Sequence, residues 1–315
     1  MSRAAILARP ELPSLVFLIL LVAALSVTTP SFFTIPNLQA VLEQVVVVSI
    51  VALAVNQVIL SEQIDISTGS LVAVCAFVYG NIALTVGGSW VPLLGALATG
   101  AFVGLVNGVL STYGRVSSII TTMGMLFALR GAVLLAAGAQ VLNLPPESRI
   151  FGLGEAFGVP ISIIVLVVVF ALMGVVSRHT VFGRNVYAVG GNDRAARTVG
   201  LPLNQVRLMT LVLSGLSCGL AAAVLLGQIG QLQATAATGF ELKVIAAVVL
   251  GGTSITGGRG SNLAPVVGAV LVGVILNALT LNRVPGIFEL FVLGVLILAA
   301  VSFDGLRTRL TDRRR

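Results

Sequence analysis

The sequence predicts an all-α, polytopic membrane protein with about ten transmembrane helices, and three observations predict it. Of its 315 residues, 57% are hydrophobic and only 9% are charged, against roughly 25% charged in an average soluble domain. The mean hydropathy is +1.09. Apolar runs long enough to cross a bilayer recur from end to end, with short polar interruptions. A chain this apolar lacks the polar surface to cover one aqueous core, so its excess faces lipid or other helices in lipid.

Eight runs read as clear spans: 12–28, 38–60, 69–87, 91–112, 117–137, 160–177, 208–227 and 286–303. Two shorter stretches, 243–255 and 263–281, flank a Gly-rich loop and bring the total to ten, the thin 243–255 reading as a span or as a tilted or re-entrant helix packed within protein. The first run follows Arg3 and Arg9 as a signal-peptide h-region would. It is long and has no small-x-small site near Thr29, so it reads as a retained span. Trp90, just before the fourth run, suits an interfacial anchor at the outer end. Gly100, Gly104 and Gly108 in that run, and Gly215 and Gly219 in the seventh, recur one turn apart, which removes bulk along a stripe and lets helices approach closely. Cys75 and Cys218 lie in apolar runs and read as small buried hydrophobes.

Orientation follows from basic residues. The net charge is +7, and Lys243 is the one Lys beside seventeen Arg. With an inside N-terminus and ten spans, inside segments carry Arg3, Arg9, Arg115, Arg178, Arg184, Arg194, Arg197, Arg207, Arg259, Arg307, Arg309 and Arg313 to Arg315. The outside carries only Arg149, Lys243 and Arg283, a bias of fourteen to three. That predicts both termini in the cytoplasm. It also accounts for the basic balance without nucleic acid.

Residues 178–207 form the longest predicted cytoplasmic loop of a single 315-residue transmembrane domain. A short helix is punctuated within it. Asn192 or Asp193 is the candidate N-cap, Arg194, Ala195, Ala196 and Arg197 begin the helix, Gly200 fits the position after its end, and Pro202 follows. Such a helix is either a docking point for a cytoplasmic partner or an ordinary surface helix.

Catalytic groups are sparse. His179 is the one histidine, no metal-ligand cluster or nucleophile motif is visible, and Lys243 precedes Val244 rather than the Ser or Thr of a P-loop. Any nucleotide energy therefore comes from another subunit. Arg130 in the fifth run is expected to snorkel outward, and Glu43, Glu62, Asp65 and Glu289 sit near helix ends without forming the acid chain of an ion-coupled carrier. Asp65 and Ser67 read as a cap for the next helix. Asn56, Gln57, Asn107 and Asn277 are uncharged polar groups within spans, suited either to a hydroxyl-rich solute or to hydrogen bonds between helices.

Several blocks also carry a family resemblance. They are SFFTIPNL at 31–38, the segment with Ile64, Asp65, Ser67, Gly69 and Ser70, Gly114–Arg115, Arg130–Gly131, GRNVYAVGGN at 183–192, AARTVGL at 195–201 and VVLGGTSITGGRGS at 248–261. Over about 30–304 the chain resembles the permease subunits of bacterial ABC sugar importers of the ribose, xylose and autoinducer-2 group. It departs at Ser61-Glu62-Gln63, where the family usually has Ser-Gly-Gly, and at Ala264-Pro265, where it usually has Gly-Thr. The resemblance implies a type II importer-like fold in the bacterial inner membrane. It also implies a second permease (identical or not), two cytoplasmic ATPase domains carrying ATP and Mg, a periplasmic binding protein and a sugar-like solute. No cofactor is implied on this chain. The helix at Asn192 to Gly200 would be the coupling helix, and Arg149 and Arg283 are candidates for docking the binding protein. A gradient-driven carrier and a membrane-embedded enzyme are the competing classes. Persistence of transport without ATP would mark the first, and purification without ATPase partners the second.

Overall fold

The structure is a computed structural model that describes residues 10–138 and 141–312. Arg3, Arg9 and Arg313 to Arg315 lie outside the described residues. The long helices are α1 (Leu12–Thr28), α2 (Ile35–Leu60), α3 (Thr68–Val86), α4 (Trp90–Thr112), α5 (Ser118–Ala137), α7 (Ile161–His179), α10 (Leu203–Ile229), α12 (Ala264–Leu281) and α13 (Ile287–Asp312). Shorter ones are α6 (Ile150–Leu153), α8 (Val181–Gly191), α9 (Asp193–Thr198) and α11 (Phe240–Leu250). Seven of them, α2, α3, α4, α5, α7, α10 and α12, are long and apolar enough to cross a membrane, and α1 and 287–302 of α13 are shorter apolar helices.

The short stretch 243–255 falls short of a full crossing. Its helix, α11, stops at Leu250 and is 11 residues long, about 16 Å at 1.5 Å per residue. That is half of a bilayer core. Residues 251–262 then run as an irregular Gly-rich loop back toward α12. Pro265 sits in the first turn of α12, where a missing N–H costs nothing.

α2 is the axis of the fold. All sixteen residues from Val45 to Leu60 are buried, because α10, α12, α11, α7 and α8 pack around it. A helix wrapped by other helices needs no polar face, which explains the run of valines there. The two Gly stripes pack on each other: a Cβ on Gly100 would land on the Gly215 carbonyl, and one on Gly104 or Gly219 would meet the backbone of Leu211 or Ala96. α4 and α10 therefore touch backbone to backbone. α5 buries little, leaving Ile120, Phe127 and Leu135 exposed, as lipid-facing side chains would be.

Small strands fasten the end of the bundle opposite α9. β1 (Leu142–Asn143) pairs antiparallel with β4 (Gln231–Leu232), and β2 (Glu155–Ala156) with β3 (Val159–Pro160). Trp90 packs edge-on against Phe151 at 5.3 Å and stays largely exposed. Cys75 and Cys218 are buried and free.

Candidate coupling site

The segment 178–207 is almost entirely helical, and it holds two short helices instead of one. α8 begins after Thr180, whose Oγ1 accepts from the Gly183 N–H at 3.0 Å. α9 begins after Asn192, whose Oδ1 accepts from the Ala195 N–H at 2.9 Å. Its other end closes as a Schellman turn: the Gly200 N–H reaches the Arg197 carbonyl and the Leu201 N–H reaches that of Ala196, with Gly200 at φ +76°. The cap residues expected from the sequence are thus in place. α8 was missed because Gly183, Gly190 and Gly191 lower its helix propensity.

The faces of α9 are unequal. Ala196 is 3% exposed and packs with Leu60, Val186, Val189, Leu203 and Val206. Arg194, Ala195, Arg197, Thr198 and Val199 are exposed, Val199 at 74%. Ala196 therefore anchors the helix to the bundle, and the outward surface belongs to its neighbours.

One residue ties this helix to α2. The Arg207 guanidinium, at the start of α10, pairs with Glu62 at 3.1 Å and Asp193 at 3.3 Å, and its Nε donates to the Ser61 carbonyl at 3.4 Å. Asp193 also holds Arg197 at 3.1 Å. Glu62 adopts φ +64°, and with the Glu62 and Gln63 N–H groups donating to Ile59 and Val58 it ends α2 in a second Schellman turn. That position favours glycine. The Glu62 side chain offsets the strain by binding Arg207. The unusual Ser61-Glu62-Gln63 block leaves the turn intact and adds a charge to it.

The Gly-rich block 251–262 is the wedge that completes the site. The Gly258 N–H donates to the Leu60 carbonyl at 3.0 Å. A Cβ on Gly190 would collide with that same carbonyl, so α8 and the loop both press on the end of α2 at backbone distance. Asn56 is consumed here, its Oδ1 accepting from Thr253 at 2.7 Å and its Nδ2 donating to the Ser261 carbonyl at 3.2 Å.

The remaining polar candidates are scattered. Gln57 Nε2 donates to Ser177 Oγ at 2.9 Å, and Asn107 Nδ2 to Ser67 Oγ at 3.0 Å; both residues are fully buried. Asn277 forms a reciprocal amide pair with Asn37, at 2.6 and 3.1 Å, that joins α12 to α2. Each of these amides links helices of one chain. Asp65 and Ser67 do not cap α3 as expected, since Ser67 makes no cap bond. The Asp65 carboxylate instead accepts from the Ser67 N–H, Ser67 Oγ and Ser214 Oγ, at 3.0, 2.6 and 2.7 Å. Burial pushes its carboxyl above the ordinary range, opposed by those three bonds.

Three basic residues depart from the simple reading. Arg130 reaches toward the end remote from α9 and, part-buried, ends on backbone: its Nη1 donates to the carbonyls of Ala234 and Ala236 at 3.3 and 2.9 Å. Arg149 caps the end of α10 through the Gly227 and Gln228 carbonyls, both at 3.0 Å. Arg283 follows α12 at the same end of the bundle as Arg149, at φ +56° and exposed.

Seven helices long and apolar enough to cross a membrane make a polytopic bundle, with a capped helix on one end pinned to its central helix. The family described as "Branched-chain amino acid transport system / permease component" matches residues 37–301, and the chain belongs to it. It is a multi-pass inner-membrane protein, and its family is the permease component, not the ATPase. The Escherichia coli K12 ribose import permease is 37% identical, over 93% of each chain. The L-arabinose ABC transporter permease of Azospirillum brasilense is 35% identical over 93% of this chain and 86% of its own. The autoinducer 2 import system permease of Yersinia enterocolitica is 32% identical over 93% and 81%. No solved structure matches.

Proposed function

We propose that this chain is the membrane-spanning subunit of an ABC importer that moves a sugar or sugar-like solute, delivered by a periplasmic binding protein, across the inner membrane. Two permeases, identical or not, stand side by side over two separate ATPase domains, which bind the ATP and Mg. Ten helices cross or enter the bilayer, with both termini in the cytoplasm. Support for the orientation comes from the α9 end, which gathers Arg115, Arg194, Arg197 and Arg207. Names of the relatives support the solute class, since ribose and L-arabinose are both neutral sugars.

The observation that carries the mechanism is the two-faced α9. Arg194, Ala195, Arg197 and Val199 face out, while Ala196 and Arg207 lock the helix to the end of α2. ATP-driven closure of the ATPases pushes α9, and the push reaches α2 and α10 through Arg207. Such a push biases the transport equilibrium only if contacts differ between the two states. Gln57, Asn107 and Asn277 serve this path by holding helices together, with solute contact an added role when the bundle opens. Arg283 is the freer candidate for docking the binding protein, Arg149 being committed to α10. The test is a disulfide cross-link between Val199→Cys and a cysteine in the groove of the co-expressed ATPase. ATP-dependent cross-linking with ATP-dependent sugar uptake is expected. Uptake that follows an ion gradient and ignores ATP would sink the reading.

A further inference from the structure

At the end of α2 remote from the coupling helix, a cleft of about 560 Å³ opens between α2, the end of α10, the 230–239 connector and the start of α11. Small-molecule sites occupy roughly 300–1,000 Å³. Its polar lining is Glu43, Gln44, Gln228, Thr235, Thr238 and Lys243, over a floor that includes Val47, Val48 and Phe240. Lys243 is neutralised by Glu289 at 3.2 Å. Gln228 Nε2 donates to the Glu43 backbone carbonyl at 3.3 Å, so the two walls meet there. The Glu43 carboxylate is exposed and has no hydrogen-bond or ion-pair partner among the described residues. A carboxylate, two amides and two hydroxyls supply acceptors and donors for adjacent hydroxyl groups, while the apolar floor, with the Phe240 ring, takes a C–H face. An anion would be repelled by Glu43.

The walls are the far ends of two helices joined at the coupling end. Arg207, at the start of α10, grips Ser61 and Glu62 at the end of α2. From Leu60 to Glu43 is about 26 Å along α2 at 1.5 Å per residue. A tilt of α2 against α10 about the Arg207 clamp therefore changes the width of this cleft. We propose that the cleft is the permease's own contact site for a neutral polyhydroxylated solute, closing and opening as the clamp moves. This rests on the permease reading above.

The test uses the whole complex in proteoliposomes with its own binding protein and two labelled sugars that this binding protein delivers. Glu43→Gln, Gln44→Ala and Gln228→Ala should each change the ratio of uptake of the two sugars by about two- to tenfold, the worth of one hydrogen bond. Gln231→Ala, outside the cleft, should leave the ratio alone. A wild-type complex that takes up no sugar overturns the permease reading itself. Wild-type uptake with an unchanged ratio in all three variants overturns the cleft alone. A merely structural role would lower both uptakes and keep their ratio. Because Cys75 and Cys218 are buried, Gln44→Cys can also be labelled by an impermeant thiol reagent from outside. Labelling slowed during sugar turnover is expected, and labelling indifferent to turnover refutes the contact.

Discussion

Ala195 and Ala196 are neighbours with identical chemistry and opposite surroundings, so placing Glu at each separates anchoring from docking. Glu at 196 must overfill the cluster of Leu60, Val186, Val189, Leu203 and Val206 or leave it, and a buried unpaired carboxylate costs several kcal/mol. The cheaper route is for α9 to undock. A six-residue helix has no stability of its own, so the cost of undocking is its contacts with the bundle. The Ala196 methyl contributes about 0.8 kcal/mol. The two pairs of Asp193, with Arg207 and with Arg197, add about 0.5–1 kcal/mol each. The total, about 2–3 kcal/mol, corresponds to a rise of about 30- to 160-fold in the opening equilibrium. Hydrogen exchange reads this directly at the amides of Ala195, Ala196, Gly200 and Leu201, which are bonded only when α9 is formed. Ala196→Glu should speed their exchange by that factor. Ala195→Glu should leave it nearly unchanged while reducing co-purification of the ATPase. Unaltered exchange in Ala196→Glu, or acceleration in Ala195→Glu instead, refutes the assignment of the two faces.

Arg207→Ala should keep the permease folded, because its partners are half-exposed, yet lower the sugar moved per ATP hydrolysed. Arg207→Lys should rescue little of this, since one ammonium does not span three acceptors as a planar fork does; a normal transport-to-hydrolysis ratio in Arg207→Ala would remove the clamp. Asp65→Ala orphans three donors and should cost about 2–3 kcal/mol, measured as a fall in the thermal midpoint. The sign of the pH effect follows from burial raising the Asp65 carboxyl: the folded state holds its proton longer, so stability falls as pH climbs from the ordinary carboxylate range to the raised value. Asp65→Asn should flatten that fall, and an identical pH profile in wild type and variant refutes it. Gly215→Leu drives a side chain into the Gly100 backbone and should cost at least about 1–3 kcal/mol, read as loss of the folded species in detergent; an unchanged midpoint refutes the backbone contact of α4 and α10.

Much of the fold was legible because apolar runs and their Gly and Pro punctuation are local properties of the chain. Every predicted span contains a helix, and Asn192, Gly200 and Pro265 end or begin helices where their backbone chemistry suits. The gap at 243–255 also had a local sign, the short run before the Gly-rich block. Pairings between distant residues had none. Nothing in the chain announces that Arg207 meets Glu62 across 145 positions, that Arg130 and Arg149 cap backbone carbonyls, or that Glu43 and Gln228 share a cleft. By itself the sequence determined class, the long helices and the caps of α9, since hydropathy and capping act within a few residues. Which side of α9 faces out, and which polar groups are spent on holding helices together, was decided only by tertiary packing, because burial depends on neighbours brought from elsewhere in the chain.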